Sequence, residues 1–288
     1  MPSFRDIPVV AVHGNGGIAK AIPALERTAA ALPGCRKLLI SDVPIEYAAA
    51  EQKRVHQRLG YRAYSHFVVY CLDRYIETDY ALIVQDDGWA LNAANWRDEW
   101  FQYDYIGGAT HAALIGNSFF RWFTWIGRAG GGGGEPLVVQ NGGFSLRSKR
   151  FLAAPTTHGI TMRHQSDPEL NNEDIQLCCF MRPALERIGL RFAPLAESKL
   201  FSFEHLFPGL HGDIDIHKIF GNHSRFRRLI AHDEIGIALT DEQIRQITWE
   251  DRVLDLLRHY GYALRHTPPP QPQSASPPQS ASPPPPPR

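Results

Sequence analysis

The stretch that decides the fold lies at residues 81–88, Ala-Leu-Ile-Val-Gln-Asp-Asp-Gly, where an apolar run ends in two adjacent carboxylates and a glycine. Four apolar residues in a row are typical of a buried strand in a parallel sheet, and such sheets bind ligands beyond the carboxyl ends of their strands. Two acids in a crevice repel each other unless a cation or a proton lies between them. Asp86 and Asp87 therefore favour a hard divalent metal with oxygen ligands. A polar turn after a core strand explains the same residues without chemistry, and that alternative stays open.

Strands and helices alternate in the first part of the chain. The sequence predicts strand, helix, strand, helix and strand in that order, at residues 9–12, 18–31, 37–40, 64–76 and 81–84. This βαβαβ series predicts an α/β fold with a parallel sheet and right-handed crossovers. Parallel strands end at one edge of their sheet, so we expect His13, Asp42, Asp86 and Asp87 to meet in one crevice and to bind the cofactor.

The remaining segments are less regular. The predictions are a short helix at 95–102, a strand at 105–106, a long connection at 107–135, a strand at 136–139, and helices at 171–182 and 240–259. Thr240 and Gln243 form a capping box at the start of the last helical region.

Composition excludes several classes of protein. The chain has 288 residues, 43% of them hydrophobic, which is enough for a substantial core. Thirty basic and thirty acidic residues give a formal net charge of zero, so the clustered positive charge that nucleic-acid binding needs is missing. The four cysteines have neither metal-knuckle nor disulfide-framework spacing. These features indicate a soluble protein of a reducing compartment, and we expect it in the cytoplasm, with peripheral attachment to a membrane left open.

The carboxyl-terminal residues differ in composition from the rest. Residues 267–288 are almost entirely Pro, Gln, Ser and Ala, a composition that cannot bury a core. We expect a single folded domain at residues 1–266, followed by a disordered tail that tethers the domain or binds a partner. No apolar window is long enough to span a bilayer.

A glycine-rich stretch at residues 14–19, Gly-Asn-Gly-Gly-Ile-Ala, follows a strand and opens a helix. It satisfies the dinucleotide fingerprint, with Asp42 as the acid for the ribose, and so supports an NAD(P)-dependent oxidoreductase. A flexible turn explains it equally well. In a nucleotide-sugar site Asp42 would instead accept the imide proton of the base. A third hypothesis, from another class, is a non-catalytic glycan-binding module in which Trp122 and Trp125 stack on sugars.

Two later segments carry further candidate residues. Asn141, Gly142 and Gly143 follow a predicted strand, where glycines permit a ligand to approach the backbone and the asparagine supplies hydrogen bonds, although a hairpin turn fits as well. Glu173 and Asp174 lie in the first turn of a predicted helix. The helix dipole favours carboxylates there for structural reasons alone. A carboxylate beside a cleft is also placed to take a proton from an incoming hydroxyl.

The ordered series of motifs resembles one family. The motifs are Val-Gln-Asp-Asp-Gly at 84–88, Trp96, Tyr-Asp-Tyr-Ile-Gly at 103–107, Asn-Gly-Gly-Phe-Ser-Leu-Arg at 141–147, Asn-Glu-Asp at 172–174 and Phe-Ser-Phe-Glu at 201–204. They are similar to those of a bacterial and fungal group of largely uncharacterised, glycosyltransferase-like proteins with the GT-A fold. The resemblance covers about residues 38–211. It implies a Rossmann-like mixed sheet flanked by helices and a nucleotide-sugar-dependent transferase.

The resemblance also implies roles for individual residues. It assigns a metal and diphosphate motif to Asp86 and Asp87, a loop facing donor and acceptor to 141–145, the base to Asp174 or Glu173, and a late metal ligand to His211. The implied cofactors are Mn²⁺ or Mg²⁺ and a nucleotide-sugar donor, for which UDP is the favoured carrier. The implied acceptor is a hydroxyl of a glycan or of another molecule. Here the two aspartates are contiguous, whereas the commonest form in this fold has one residue between them.

Overall fold

The computed structural model describes residues 3–14, 17–115, 120–123, 137–224, 226–247 and 249–266. Within these ranges the strands are β1 (Pro8–His13), β2 (Arg36–Ser41), β3 (Glu51–Arg54), β4 (Tyr80–Val84), β5 (Gly88–Ala90), β6 (Tyr105–Ile115), β7 (Phe120–Phe123), β8 (Leu137–Ser148), β9 (Ser202–Phe203), β10 (Gly221–His223), β11 (Arg227–Ala231), β12 (Glu234–Ile237) and β13 (Ala263–His266). The helices are α1 (Ile18–Ala31), α2 (Tyr61–Tyr70), α3 (Lys149–Thr157), α4 (Glu173–Ile175), α5 (Arg182–Arg187), α6 (Leu195–Phe201), α7 (Pro208–His211), α8 (Asp241–Gln246) and α9 (Glu250–His259).

The central sheet has the strand order β3-β2-β1-β4-β8-β6-β7. Strands β1 to β4 are parallel, with Val10 of β1 beside Leu38 of β2 and Ile83 of β4. Strand β8 runs antiparallel to both of its neighbours, β4 and β6. The expected α/β class is thus confirmed, as a mixed sheet with helices packed against it. The three apolar runs become β1, β2 and β4, whose carboxyl ends share one edge.

Both faces of β1 and β4 are covered, which explains why their sequences are continuously apolar rather than alternating. Val9 and Ala11 of β1 belong to the same buried cluster as Leu25 of α1. Val10, on the opposite face, belongs to a second cluster that includes Phe67 of α2. The middle of each of these strands is therefore buried whichever way a side chain points, whereas the edge strand β3, Glu-Gln-Lys-Arg, is mostly exposed.

Two small sheets complete the described fold, with the orders β5-β10-β9 and β11-β12-β13. Strand β5 begins at Gly88, immediately after the acid pair. The turn between β4 and β5 is closed by the Gly88 N–H, which donates to the Gln85 carbonyl at 3.1 Å. The Ser224 N–H donates to the Asp87 carbonyl at 2.8 Å. The two aspartates thus occupy a fixed turn that joins two sheets.

The structure differs from the sequence predictions in several segments. Strand β6 continues to Ile115 and β7 covers Phe120–Phe123 within the predicted connection at 107–135, because β6 pairs with β8 on one side and with β7 on the other. Residues 141–147 are the second half of strand β8 rather than a loop or hairpin, because Phe144 pairs with Val84 and Ser145 with both Ile83 and Gly107. The predicted helix at 171–182 is one α-turn, α4, followed by a π-turn at Gln176–Phe180.

The predicted helix at 240–259 is divided into α8 and α9 by Trp249, whose φ of 66° is left-handed. The capping box of Thr240 and Gln243 is confirmed. None of the helices in the described ranges is long and apolar enough to cross a bilayer.

Candidate functional site

A cavity of about 730 Å³ opens at the carboxyl ends of β1 and β4. Its walls include residues of β1, β4, β8, α4, β9 and β10 or of the connections beside them: His13, Gln85, Asp86, Gly143, Glu173, Asp174, Glu204 and His223. Of the four residues expected to meet in one crevice, His13 and Asp86 line this cavity, and Asp42 and Asp87 do not. A cavity of this size accommodates a nucleotide-sized ligand.

Asp87 and His223 form an ion pair at the back of this cavity. Asp87 Oδ1 lies 3.3 Å from His223 Nε2, and each side chain is 14% exposed. Burial by itself would raise the pKa of Asp87, but the charge and hydrogen bond of His223 lower it. Burial would likewise lower the pKa of His223, but Asp87 outweighs it and raises that pKa to about 9. Strand pairing creates this contact, because His223 of β10 lies opposite Gly88 of β5.

Asp86, the other member of the acid pair, faces the cavity. Its Oδ2 lies 3.5 Å from Nη1 of Arg228, whose side chain is more than half exposed. The Leu229 N–H donates to the Asp86 carbonyl at 3.3 Å. Asp87 is therefore paired with a buried histidine, and Asp86 with an exposed arginine.

Glu173 forms an ion pair with Arg147, a fully buried residue of β8. Arg147 Nη2 lies 3.5 Å from Glu173 Oε1 and donates to the Gly142 carbonyl at 3.2 Å. Its Nε donates to Ser145 Oγ at 3.0 Å, and its guanidinium lies 4.9 Å from the centre of the Tyr105 ring. Glu173 thus has a charged partner that keeps it oriented.

Asp174 projects into the cavity with a different electrostatic environment. Burial, the charge of Glu173 and the more distant charge of Glu204 raise its pKa to about 7, while the hydrogen bond from Ile175 and the charge of His223 act in the opposite direction. The Ile175 N–H donates to Asp174 Oδ1 at 2.8 Å. A carboxylate with a pKa near neutrality is suited to act as a general base.

The glycines of β8 are required by the side chains packed on them. A Cβ at Gly142 would collide with Glu173 and with the Arg147 guanidinium, and one at Gly143 would collide with the His223 ring. These two glycines therefore leave room for the acid at the start of α4 and for the histidine of β10. The sequence predicted that this glycine pair lets a ligand approach the backbone. In the structure, the groups that approach it are side chains of the protein itself.

Several predicted residues lie away from the cavity wall. Asp42 Oδ2 accepts from the Leu59 N–H at 2.8 Å. Asn141 is buried in β8, where its Oδ1 accepts from the Phe144 N–H at 3.4 Å. His211 is fully buried in α7, and its Nδ1 accepts from the Phe207 N–H at 3.2 Å. The cavity walls include none of these three predicted residues.

Of the fingerprint at 14–19, Gly14 and Gly17 line the cavity, and residues 15 and 16 lie outside the described ranges. Trp125 and the tail at 267–288 also lie outside them, and Trp122 is part of strand β7.

Glu204 and His223 are among the residues of the wall that sequence reasoning missed. Glu204 ends the Phe-Ser-Phe-Glu motif at 201–204, so its position in that motif was a usable signal. His223 lies in Gly-Asn-His at 221–223, which has no local pattern that points to a site. Only its strand pairing reveals it.

The described side chains fit a divalent metal whose coordination a substrate completes. Within the described ranges, no group of three or more His, Cys, Asp or Glu residues is arranged to hold a metal ion. Mg²⁺-type sites, however, commonly use one or two carboxylates, with phosphate oxygens and water filling the other positions. Asp86 supplies a carboxylate on the cavity wall, and Asp87 supplies a second one behind it. His223 can add a nitrogen donor only after its imidazole loses the proton that it holds in the pair with Asp87.

Fold and site together define a mixed α/β protein with an acidic, ligand-sized cavity at the carboxyl edge of its sheet. Residues 53–223 match the model of a family described as a protein of unknown function (DUF5672). The match covers more than half of the chain, which belongs to that family. No curated protein matches the chain.

Among solved structures, the chain is similar to two of LgtC. One is an active-site mutant of LgtC, with 14% identity and a TM-score of 0.42, over 88% of this chain and 96% of that one. The other is the galactosyltransferase LgtC in complex with donor and acceptor sugar analogs, with 14% identity and a TM-score of 0.42, over 89% of this chain and 97% of that one.

Proposed function

We propose that this protein is a glycosyltransferase, which moves a sugar from a nucleoside-diphosphate sugar, with UDP as the favoured carrier, to a hydroxyl of an acceptor. One observation carries the proposal. Asp174, with a pKa raised to about 7, faces the same cavity of about 730 Å³ as Asp86 and the His223 partner of Asp87. One cavity thus contains a candidate base and the residues that would bind the charged leaving group.

The proposed chemistry is a single displacement at the anomeric carbon of the donor sugar. Asp174 takes the proton of the acceptor hydroxyl as the acceptor oxygen forms its bond to that carbon. The bond from the same carbon to the diphosphate oxygen breaks, and its electron pair leaves with the diphosphate. Attack opposite the leaving group inverts the anomeric configuration. Glu173, which Arg147 holds, orients the segment and keeps a negative charge beside the base.

The β1–α1 side of the cavity provides positive charge for the diphosphate. Lys20, in the first turn of the fourteen-residue helix α1, lines the cavity together with Gly14 and Gly17. The positive end of a helix dipole and a lysine both favour phosphate groups. Mn²⁺ or Mg²⁺ would be held by Asp86 and Asp87, with His223 beside them, and would supply further positive charge to the diphosphate when bound.

A nucleotide-binding screen tests the proposal. UDP with Mn²⁺ is expected to raise the melting temperature, whereas NAD(P) is not, because tight binding to the native state stabilises it. Stabilisation by NAD(P) alone would support the oxidoreductase reading of residues 14–19 instead. Saccharide binding without metal-dependent nucleotide binding would support the glycan-binding module.

Substitutions separate the two roles. Asp87→Asn is expected to abolish stabilisation by UDP with Mn²⁺ and also hydrolysis of UDP-sugars. Asp174→Asn is expected to retain nucleotide binding and to lose about 10²–10⁴-fold in turnover. Asp255→Asn is a matched control, because this α9 side chain is 76% exposed and lies away from the cavity. Full activity of a folded Asp87→Asn or Asp174→Asn variant would refute the corresponding role.

A further inference from the structure

One large aromatic side chain is exposed at the cavity. Tyr61, the first residue of α2, is 59% exposed, the highest value among the large hydrophobic residues in the described ranges. The other two exposed members of that class, Ile188 and Ile230, do not line the cavity, whereas Tyr61 does. An exposed aromatic ring on a cavity wall offers a flat apolar surface to a ligand.

Tyr61 is connected to the segment that carries the proposed base. It lines the cavity together with Asn172, the residue that precedes Glu173 and Asp174 at the start of α4. Burial and the nearby charges, that of Asp174 included, together raise the pKa of Tyr61, and the Asn172 side chain acts in the opposite direction. A molecule that lies on the Tyr61 ring therefore shares the cavity with the group that would take its proton.

The wall beside Tyr61 is polar, and hydrogen bonds hold its backbone. Glu169 and Asn172 both line the cavity there. The preceding turn is held by Asn171, whose Nδ2 donates to the carbonyls of Gln165 and Asp167, each at 2.9 Å. A carboxylate and an amide carried on such a backbone can bind hydroxyls at the cost of ordering their side chains alone.

An aromatic ring with hydrogen-bonding groups around its edge fits a pyranose. One face of such a sugar presents C–H groups, which pack on a ring, and its rim presents hydroxyls, which pair with carboxylates and amides. We infer, on the basis of the proposed function, that Tyr61 is the acceptor platform of this site and that the acceptor is a saccharide rather than a peptide or lipid hydroxyl.

Saturation-transfer NMR on the full chain tests this inference. The probes are the methyl β-glycosides of glucose, galactose, mannose and N-acetylglucosamine, with serine amide and sorbitol as non-cyclic hydroxyl compounds. Spectra are recorded with and without UDP and Mn²⁺. At least one glycoside is expected to bind the wild type, with saturation concentrated on the protons of one ring face, and the non-cyclic compounds are not expected to bind.

Variants assign the signal to Tyr61. Tyr61→Leu is expected to bind the glycoside about three- to tenfold more weakly, the range typical of an aromatic contact, and to bind UDP as the wild type does. Tyr61→Phe keeps the ring and is expected to retain most glycoside binding. Tyr260→Leu is the matched control, since Tyr260 lies at the end of α9 and does not line the cavity.

Three outcomes would overturn the inference. They are equal glycoside binding by the wild type and Tyr61→Leu, absence of any glycoside signal from the wild type, and loss of UDP binding rather than glycoside binding in Tyr61→Leu, which would assign the ring to the nucleobase. Failure of the proposed function gives a different result, because UDP would then not bind the wild type at all while the glycoside comparison without UDP still reports on Tyr61.

Discussion

Replacing Arg147 with methionine tests how much the buried ion pair between Arg147 and Glu173 stabilises the fold around the candidate base. The Arg147 side chain is 0% exposed and that of Glu173 is 8% exposed, so the variant leaves a buried carboxylate next to that of Asp174. Breaking one side of a buried pair typically costs about 3–5 kcal/mol. The hydrogen bonds from Arg147 to Gly142 and Ser145 are lost as well. We expect Arg147→Met to lower the free energy of unfolding by about 3–5 kcal/mol.

A double-mutant cycle isolates the electrostatic part of this effect. Glu173→Gln in the Arg147→Met background removes the uncompensated charge, so the double variant is expected to recover about 1–3 kcal/mol. Urea unfolding followed by circular dichroism measures each free energy. Arg258→Met is the matched control, because Arg258 is 55% exposed and its pair with Asp255 lies on the surface, and its effect is expected within about 0.5 kcal/mol. If the two site substitutions prove additive within about 0.5 kcal/mol, the ion pair contributes no coupling and the reasoning fails.

Two further predictions concern the cavity itself. First, Asp174 acts in its deprotonated form, so kcat/KM for transfer should fall as the pH drops below about 7. Glu173→Gln removes a negative charge that raises the pKa of Asp174, so the acidic limb of the pH profile should move to lower pH, and a limb that stays in place or moves upward would contradict the assignment. Second, the methyl group of Gly143→Ala would collide with the His223 ring, so binding of UDP with Mn²⁺ in a thermal-shift titration should weaken at least about tenfold. Gly60→Ala, whose added methyl meets open space, should bind as the wild type does, and equal binding by both variants would show that the position of the histidine does not matter.

Local patterns were sufficient for the parallel part of the fold. The runs at 9–12, 37–40 and 81–84 can be identified as strands because short apolar runs that alternate with helices are typical of buried parallel strands. The polar and glycine-rich residues 141–147 were misinterpreted for the converse reason. Turn-forming residues usually mark turns, but here β4 and β6 supply strand partners on both sides, and tertiary pairing overrides the local preference.

The candidate site divides in the same way. Asp86, Glu173 and Asp174 were found because each directly follows or begins an element recognisable in the sequence. His223 was not found, since it approaches Asp87 through the pairing of β10 with β5, two strands far apart in the chain. His211 was predicted as a late metal ligand, and the structure holds it inside α7, away from the cavity wall.

The sequence by itself determined a parallel α/β core, an acid pair at the end of its central strand and a second acid pair at a helix start. These features depend on contacts between neighbours in the chain, which composition and periodicity encode directly. Only the tertiary structure decided the charge partners: His223 for Asp87, Arg147 for Glu173. Those partners set which carboxylate is ion-paired and which has a pKa near neutrality. Packing between distant segments therefore produces the electrostatic difference between Glu173, which is ion-paired, and Asp174, the candidate base.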